Sequence, residues 1–548
     1  MNRRIIQAYR SILSQETGYT RKDPGGRIRV ALAYPNTYYV GMSNLGFHTM
    51  YQIFNSRPDT LCERVFLPGS DLERIYRNGS TPLLSIESQT PVREFHILAF
   101  SCSFENDYLN CLKILDLAGL PLNSSERDEE HPIVVMGGAC TFFNVEPMAQ
   151  FIDCFICGEG ESIGNEFLDL YHVWFDSGEK KYDLLHRLLN IEGVYVPVFY
   201  DYRYDNQGKI SDLIIHKDAY ERIQPRIENN IDLLKTSTAV YTHNSEFGNM
   251  FLLEVTRGCP RGCDFCLLSK IYKPFRRRKL EGLLNIAREG LSHREKIGLI
   301  GASLTDYRDL EGLCEGILSM GGKISICSMR LDNLSDRLME SLVISGIKTI
   351  TLAPEAGRES LRSSIGKADI TDDKIIECIE KLIKWDIPNL KLYFMVGLPN
   401  ETEEDIKAIV KLAKKIKHHA VQISKGRGAL KHITISVNSF VPKPLTRFQF
   451  YPMEKMELLN KKIRYITKEV GLLKGIYCTH DVPKWSYIQG LLALGDRRIG
   501  ELLLLAYQEN GNWNRAFSRI NLSPDFYLYR KIEEEDIPPW ALWLKEKI

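Results

Sequence analysis

Apolar residues along this chain switch repeatedly between two periods. Short unbroken apolar runs, the pattern of a parallel strand buried on both faces, are followed by stretches with apolar residues three and four apart. In the first third the runs cover 29–35, 95–101, 132–136 and 151–157. Helical spacing covers 47–54 and 108–118, with Gly119 placed to end the second, and a further helix runs from Gly158-Glu159-Gly160-Glu161 through Tyr171. This alternation predicts a doubly wound α/β, Rossmann-like domain over 28–200, behind an extension of 1–27. Ligands of such sheets bind beyond the carboxyl ends of the strands. That draws attention to Ser101, Gly137, Gly138 and Gly158. Over 201–248 the periodicity fades into a polar turn (201–208, between expected strands 194–200 and 209–216) and a linker.

From 249 to 450 the alternation resumes. Six runs, 250–255, 296–301, 323–329, 348–353, 389–396 and 432–437, are separated by helical stretches. The clearest is 371–385, with Ile375, Ile376, Ile379, Leu382 and Ile383 on one face. Six strand-helix units predict a partial (β/α)6 barrel with its active groups at the carboxyl ends of the strands. Residues 451–548 read as a helical carboxyl-terminal cap, with helices over 453–470, 488–494 and 499–507.

Composition narrows the class. The 548 residues are 44% hydrophobic and 26% charged, ordinary for a soluble globular protein of about three domains. With 71 basic and 70 acidic residues, global charge argues for no polyanionic partner. No apolar run reaches the ~18 residues of a membrane span, and the amino terminus has two arginines but no apolar core of a secretory signal. Thirteen cysteines suit a reducing cytoplasm better than a disulfide framework.

Three of those cysteines carry the chemistry. Cys259, Cys263 and Cys266 stand at C-x3-C-x2-C directly after the run 250–255. Three thiolates on one short loop suit three irons of a [4Fe-4S] cluster, leaving the fourth iron open. A structural zinc site wants a fourth ligand at short spacing, and the next cysteine is Cys314. Spacing alone goes no further than a cluster site with an open position.

Thr256-Arg257-Gly258-Cys259-Pro260-Arg261-Gly262-Cys263-Asp264-Phe265-Cys266 resembles the signature of the radical S-adenosylmethionine (SAM) superfamily. The resemblance implies that the three cysteines ligate the cluster, that SAM chelates the open iron, and that Phe265 lies beside the adenine. It further implies reductive cleavage of SAM to a 5′-deoxyadenosyl radical, with electrons from an external donor such as ferredoxin or flavodoxin. At the second strand end, Gly301-Ala302-Ser303 stands where the family often has Gly-Gly-Glu, so Ser303 is left to hold the SAM amino group in part. Ser328 and Arg330 follow the third strand, and an arginine there suits a carboxylate. The segment 353–362 is similar to a loop that methylthiotransferases use near the ribose and methionine of SAM. Glu355 becomes the candidate contact, its alternative being a helix cap. Gly397-Leu398-Pro399-Asn400-Glu401-Thr402 is similar to the family's Gly-Leu-Pro-Gly-Glu-Thr turn, where Gly397 and Leu398 bring backbone to the adenine.

The amino-terminal domain has its own likeness. Tyr34-Pro35-Asn36-Thr37-Tyr38, Gly41 to Gly46, Gly137-Gly138, Glu146-Pro147 and Gly158-Glu159-Gly160-Glu161 resemble the cobalamin-binding-type domain of a largely uncharacterised radical SAM subgroup. The usual Asp-x-His-x-x-Gly ligand to cobalt is absent, and His96 reads as a strand histidine. Cobalamin held without a protein ligand therefore stays open beside a domain that recognises substrate. Cys102, Cys111, Cys154 and Cys157 read as packing residues, and Cys140 as a thiol placed to face a ligand. Lys270, Lys273, Arg276, Arg277, Arg278 and Lys279, interleaved with Tyr272 and Phe275, form a basic run suited either to nucleic acid or to structure. Three readings result: a radical SAM enzyme with cobalamin, of the methyltransferase or a related radical-modification type; a cobalamin-free radical SAM enzyme modifying RNA; and a metal protein without turnover.

Overall fold

The computed structural model describes residues 2–326, 335–424 and 430–544. They form two compact units. The first comprises 1–248, 491–527 and 532–548, the second 249–490 and 528–531. The stretch 451–548 is thus divided between them, and 201–248 belongs with the first.

In the first unit, strands β1 (Ile28–Tyr34), β2 (Thr60–Phe66), β3 (Ile97–Ser101), β4 (Ile133–Gly137), β5 (Cys154–Ile156) and β6 (Val194–Tyr195) form one sheet in the order β2-β1-β3-β4-β5-β6. All pairs are parallel except β5 with β6. The four expected strands are present. β2 is an addition: all seven of its residues are buried, Glu63 and Arg64 included. Burial of those charges is tolerable because each is matched. The Arg64 guanidinium meets Glu16 at 2.7 Å and Glu87 at 2.6 Å, and Glu63 accepts from the Ser85 and Ser88 hydroxyls at 2.5 and 2.6 Å. The expected strand 194–200 is broken by a helical turn at Pro197–Phe199. A hairpin follows of β7 (Tyr200–Tyr204) and β8 (Ile210–Ile215). Helix Leu45–Ser56 starts at Asn44, whose side chain accepts from the Phe47 amide, and Tyr108–Leu117 ends before Gly119 at φ +72°. Residues 491–500 close this unit. The buried Asn144 amide donates to the carbonyls of Ala493 and Gly495, both at 2.9 Å, and Arg497 pairs with buried Glu146 at 3.0 Å.

The second unit opens with β9 (Met250–Glu254). A two-residue ladder follows, of β10 (Thr256–Arg257) against β11 (Arg276–Arg277). β12 (Lys296–Ile300) lies between β9 and β13 (Lys323–Ile326), all parallel. β14 (Thr349–Glu355), β15 (Asn389–Val396), β16 (His432–Ser439) and β17 (Ile476–His480) make a second parallel sheet in that order. The six expected strands are therefore joined by a seventh, β17. Helices occur between successive strands, Asp372–Lys384 among them with Ile375, Cys378, Ile379 and Leu382 buried. The expected extension of the third strand to 329 lies outside the described residues. No described helix is long and apolar enough to cross a membrane.

Candidate functional site

The cysteine loop begins where β9 and β10 end, and an ion-pair clamp holds its base. Glu254 accepts two bonds from Arg257, both at 2.9 Å, and one from Arg278 at 2.7 Å. These cations hold its carboxyl below the usual range despite burial. Gly258 follows at φ +82°, where a Cβ would stand 2.2 Å from the Tyr272 carbonyl oxygen, so no other residue fits. The three cysteines then lie on a loop braced from three strand ends. After β12, Asp306 takes both arms of Arg261 (3.0 and 2.6 Å) and the Ser303 hydroxyl (2.6 Å). After β14, the Asp264 amide donates to the Ile365 carbonyl at 3.0 Å, and Gly366, at φ +80°, packs beneath Gly262 and Cys263. After β16, Arg447 meets the Asp264 carboxylate at 3.2 Å and donates its amide to the Asp264 carbonyl.

Cys263 is buried, while Cys259 and Cys266 are partly exposed. Burial pushes the Cys259 thiol up, the Arg261 backbone N–H offsets it, and Cys266 lies close enough to raise it further. Among the described residues no three His, Cys, Asp or Glu side chains gather around a single metal ion. A four-iron cluster asks instead for thiolates that each meet their own iron. Three thiols on one braced, half-open loop fit that group.

A second set of groups gathers beside Phe265. Its ring packs on an apolar cluster of Ala356, Leu361, Ile365, Leu398, Phe440 and Phe448. Lys367, buried, lies over the same ring with its Nζ 5.5 Å from the centroid, and donates to Glu355 Oε1 at 2.9 Å and the Ala353 carbonyl at 2.7 Å. Glu355 sits at φ +67°, at a register shift that ends the β14–β15 ladder. A glutamate in the left-handed region is strained, and such strain persists only where surrounding structure enforces it. Glu355 does not cap the next helix, since Arg358 occupies that position. Lys367 and Asp306 were not singled out from the sequence. Asp306 had one usable signal, an acidic residue three positions after Ser303 where the glutamate is missing.

Other expected site residues stand differently. Gly397 faces its own unit: a Cβ there would meet Leu459 at 2.8 Å and Glu454 at 3.0 Å, and its amide donates to Glu401. The Leu398 amide also reaches Glu401, at 3.4 Å, and Lys462 completes that carboxylate at 2.7 Å. Asn400, in place of the usual glycine, adopts φ +63°, a conformation asparagine tolerates. Ser328 and Arg330 lie outside the described residues. Within the basic run, Arg276 donates to the carbonyls of Pro274 and Tyr272 and Arg278 pairs with Glu254, both buried. These two arginines hold the loop together.

In the first unit the glycines serve the chain's own approaches. Gly138, at φ +107°, lets the Cys102 carbonyl come within 2.4 Å of where a Cβ would be, and Gly158, at φ +127°, does the same for Arg226 at 2.3 Å. The Arg226 backbone bridges both sides of Gly158, donating to the Cys157 carbonyl and accepting from the Glu159 amide. At Gly137 a Cβ would make an ordinary contact with Ile156. Cys102, Cys111, Cys140, Cys154 and Cys157 are all buried, and the His96 Nδ1 accepts from the Arg29 amide. A side chain at Gly138 or Gly158 would therefore run into the backbone of Cys102 or Arg226.

Two parallel sheets with a braced three-thiol loop beyond their strand ends fit a protein that holds an iron–sulfur cluster. Residues 253–413 match the model for the radical SAM superfamily, and residues 46–197 match that for radical SAM proteins, N-terminal. An uncharacterized protein of Methanocaldococcus jannaschii is 32% identical over 480 residues, covering 86% of this chain and 90% of the relative. The chain belongs to the radical SAM superfamily, whose members bind a [4Fe-4S] cluster and SAM. The ribosomal protein uS12 methylthiotransferase RimO of Clostridium botulinum is 24% identical over 324 residues, 53% of this chain and 70% of that protein. Among solved structures, the cobalamin-dependent radical SAM enzyme OxsB with aqua-cobalamin and SAM bound is 15% identical at a TM-score of 0.48. It matches 70% of this chain, and the chain spans about half of its length.

Proposed function

We propose that this protein generates a 5′-deoxyadenosyl radical at the Cys259–Cys263–Cys266 loop and uses it to abstract hydrogen from a substrate, without cobalamin. The observation that carries the reading is the adjacency of the braced loop to Phe265, Lys367 and Glu355. Cys259, Cys263 and Cys266 would hold a [4Fe-4S] cluster, which when bound would pass one electron from a donor of the ferredoxin or flavodoxin class for the cleavage of SAM. The chain's own residues do the rest. Asp306, Ile365 and Arg447 fix the loop so that the thiols need no reordering. Phe265 offers a ring face to the adenine. Glu355 keeps one carboxylate oxygen on Lys367 and turns the other toward a SAM hydroxyl or ammonium. Ser303 stays with Asp306 and acts on the loop. The absence of an Asp-x-His-x-x-Gly motif to ligate cobalt favours the cobalamin-free reading over methyl transfer through cobalt.

Anaerobically reconstituted protein, reduced with dithionite and given SAM, releases 5′-deoxyadenosine, and Cys263→Ala releases none. Turnover that survives Cys263→Ala overturns the cluster assignment. A corrin spectrum retained after incubation with hydroxocobalamin and desalting overturns the cobalamin-free part alone.

A further inference from the structure

A cavity of about 430 Å³ lies at the amino ends of β1, β3 and β4, the opposite edge of the first unit's sheet from Gly138 and Gly158. Its wall is aromatic. Phe175 stacks on Tyr171 at 6.2 Å between centroids and tilts against His96 at 4.8 Å, with Trp174 packed edge-on to Tyr171. Phe175 is 46% exposed, high for a phenylalanine inside a cavity lining, so it offers apolar ring surface that the fold itself does not cover.

The polar groups of the cavity are mostly donors. Arg29, at the second position of β1, and Arg93, before β3, both line it, and neither guanidinium has a carboxylate partner among the described residues. Arg29 is partly buried, which makes an uncompensated cation costly there unless a ligand anion completes it. The His96 Nδ1 accepts the Arg29 amide at 3.0 Å, which leaves its proton on Nε2 as a third donor. Burial pushes the His96 pKa down to about 4, so the ring stays neutral and stackable at ordinary pH. At the rim, Glu94, Glu129 and Glu130 are exposed carboxylates. They repel a bare anion but accept from hydroxyl and amino groups.

A flat ring surface, unpartnered guanidiniums and rim acceptors together suit one kind of molecule. We propose that this cavity binds a mononucleotide, with its base on the Phe175 face, its phosphate on Arg29 and Arg93, and its hydroxyl or amino groups at the rim glutamates. A simple aromatic acid leaves the rim unused, and inorganic phosphate leaves the rings unused. The volume lies within the ~300–1,000 Å³ range of small-molecule pockets.

The test uses the full chain, with the barrel saturated with SAM so that its adenine site is filled. Adenosine 5′-monophosphate, guanosine 5′-monophosphate, adenosine and inorganic phosphate are titrated by calorimetry. At least one mononucleotide is expected to bind one site per chain, and about tenfold more tightly than adenosine or phosphate. Arg93→Ala and Phe175→Ala, both at exposed positions that fold without them, are each expected to weaken it by about fivefold or more, and Arg29→Gln by about tenfold. Iron content and SAM cleavage stay unchanged in all three. The proposal falls if neither nucleotide binds, if phosphate alone binds as tightly, or if affinity is indifferent to these substitutions.

Discussion

The two units use the carboxyl ends of parallel strands in opposite ways. In the first, backbone fills those ends: Cys102 lies against Gly138 and Arg226 against Gly158, and Glu146 is consumed by Arg497. In the second, the strand ends hold half-open thiols, a strained glutamate, and a lysine shared between a carboxylate and a ring. The same topology serves as a sealed scaffold in one place and as reactive machinery in the other. The difference lies in whether the loops beyond the strands satisfy each other or leave groups over. It also teaches that a glycine at a strand end does not by itself mark a ligand.

That contrast can be broken by experiment. The largest effect is expected from Cys263→Ala, which removes a proposed cluster ligand: iron loading and 5′-deoxyadenosine formation are both lost, while the denaturation of the first unit is unchanged. Arg64→Ala strikes the sealed unit instead. It leaves Glu16 and Glu87 buried without their cation and should cost about 3–5 kcal/mol, read from the urea midpoint. Gly158→Ala should cost about 3 kcal/mol through backbone strain and overlap with Arg226. If Gly158→Ala is neutral in stability but alters cofactor binding, the contrast is wrong. His48 supplies a pH test. It is wholly buried, its Nε2 bonded to the Met42 carbonyl, and burial lowers its pKa from 6.5 to about 4. The unfolded chain takes up the proton below 6.5 and the folded one only near 4, so stability present above pH 6.5 is lost as the pH falls toward 4. At about 1.4 kcal/mol per unit this amounts to about 3 kcal/mol, and His48→Gln should flatten the profile. The smallest effect is expected from Lys367→Met in the reactive unit. Iron content should hold while the KM for SAM rises about tenfold, the loss of one charge-assisted hydrogen bond to Glu355. A fall in kcat alone would assign Lys367 to chemistry rather than to positioning.

The regular elements were legible because apolar runs and helical spacing are local. β2 escaped because Glu63 and Arg64 read as surface, and only Glu16, Glu87, Ser85 and Ser88, distant in sequence, make their burial affordable. β17 is short, with three of its five residues exposed, so its sequence carries little pattern. That the three cysteines share one loop was readable from their spacing, since C-x3-C-x2-C keeps them close in the chain. Their supports were not. Asp306 and Arg447 act through bonds to residues 45 and 183 positions away, Lys367 through bonds spanning 12 and 14, and Gly366 by packing against Gly262 and Cys263. A Cβ-free position looks the same in sequence whether it serves a ligand or, as at Gly138 and Gly158, a close backbone approach.

Asn144 and Glu146 carry a consequence for synthesis. Both are fully buried, and their partners Ala493, Gly495 and Arg497 lie 349 to 351 residues further along. At ribosomal rates of ~5–20 residues per second, roughly 20–70 s separate a polar pair from the groups that complete it. Throughout that interval the whole of 249–490 emerges as an insertion into an unfinished first unit. Asn144 and Glu146 are therefore made long before the groups that complete them, with 249–490 synthesised in between.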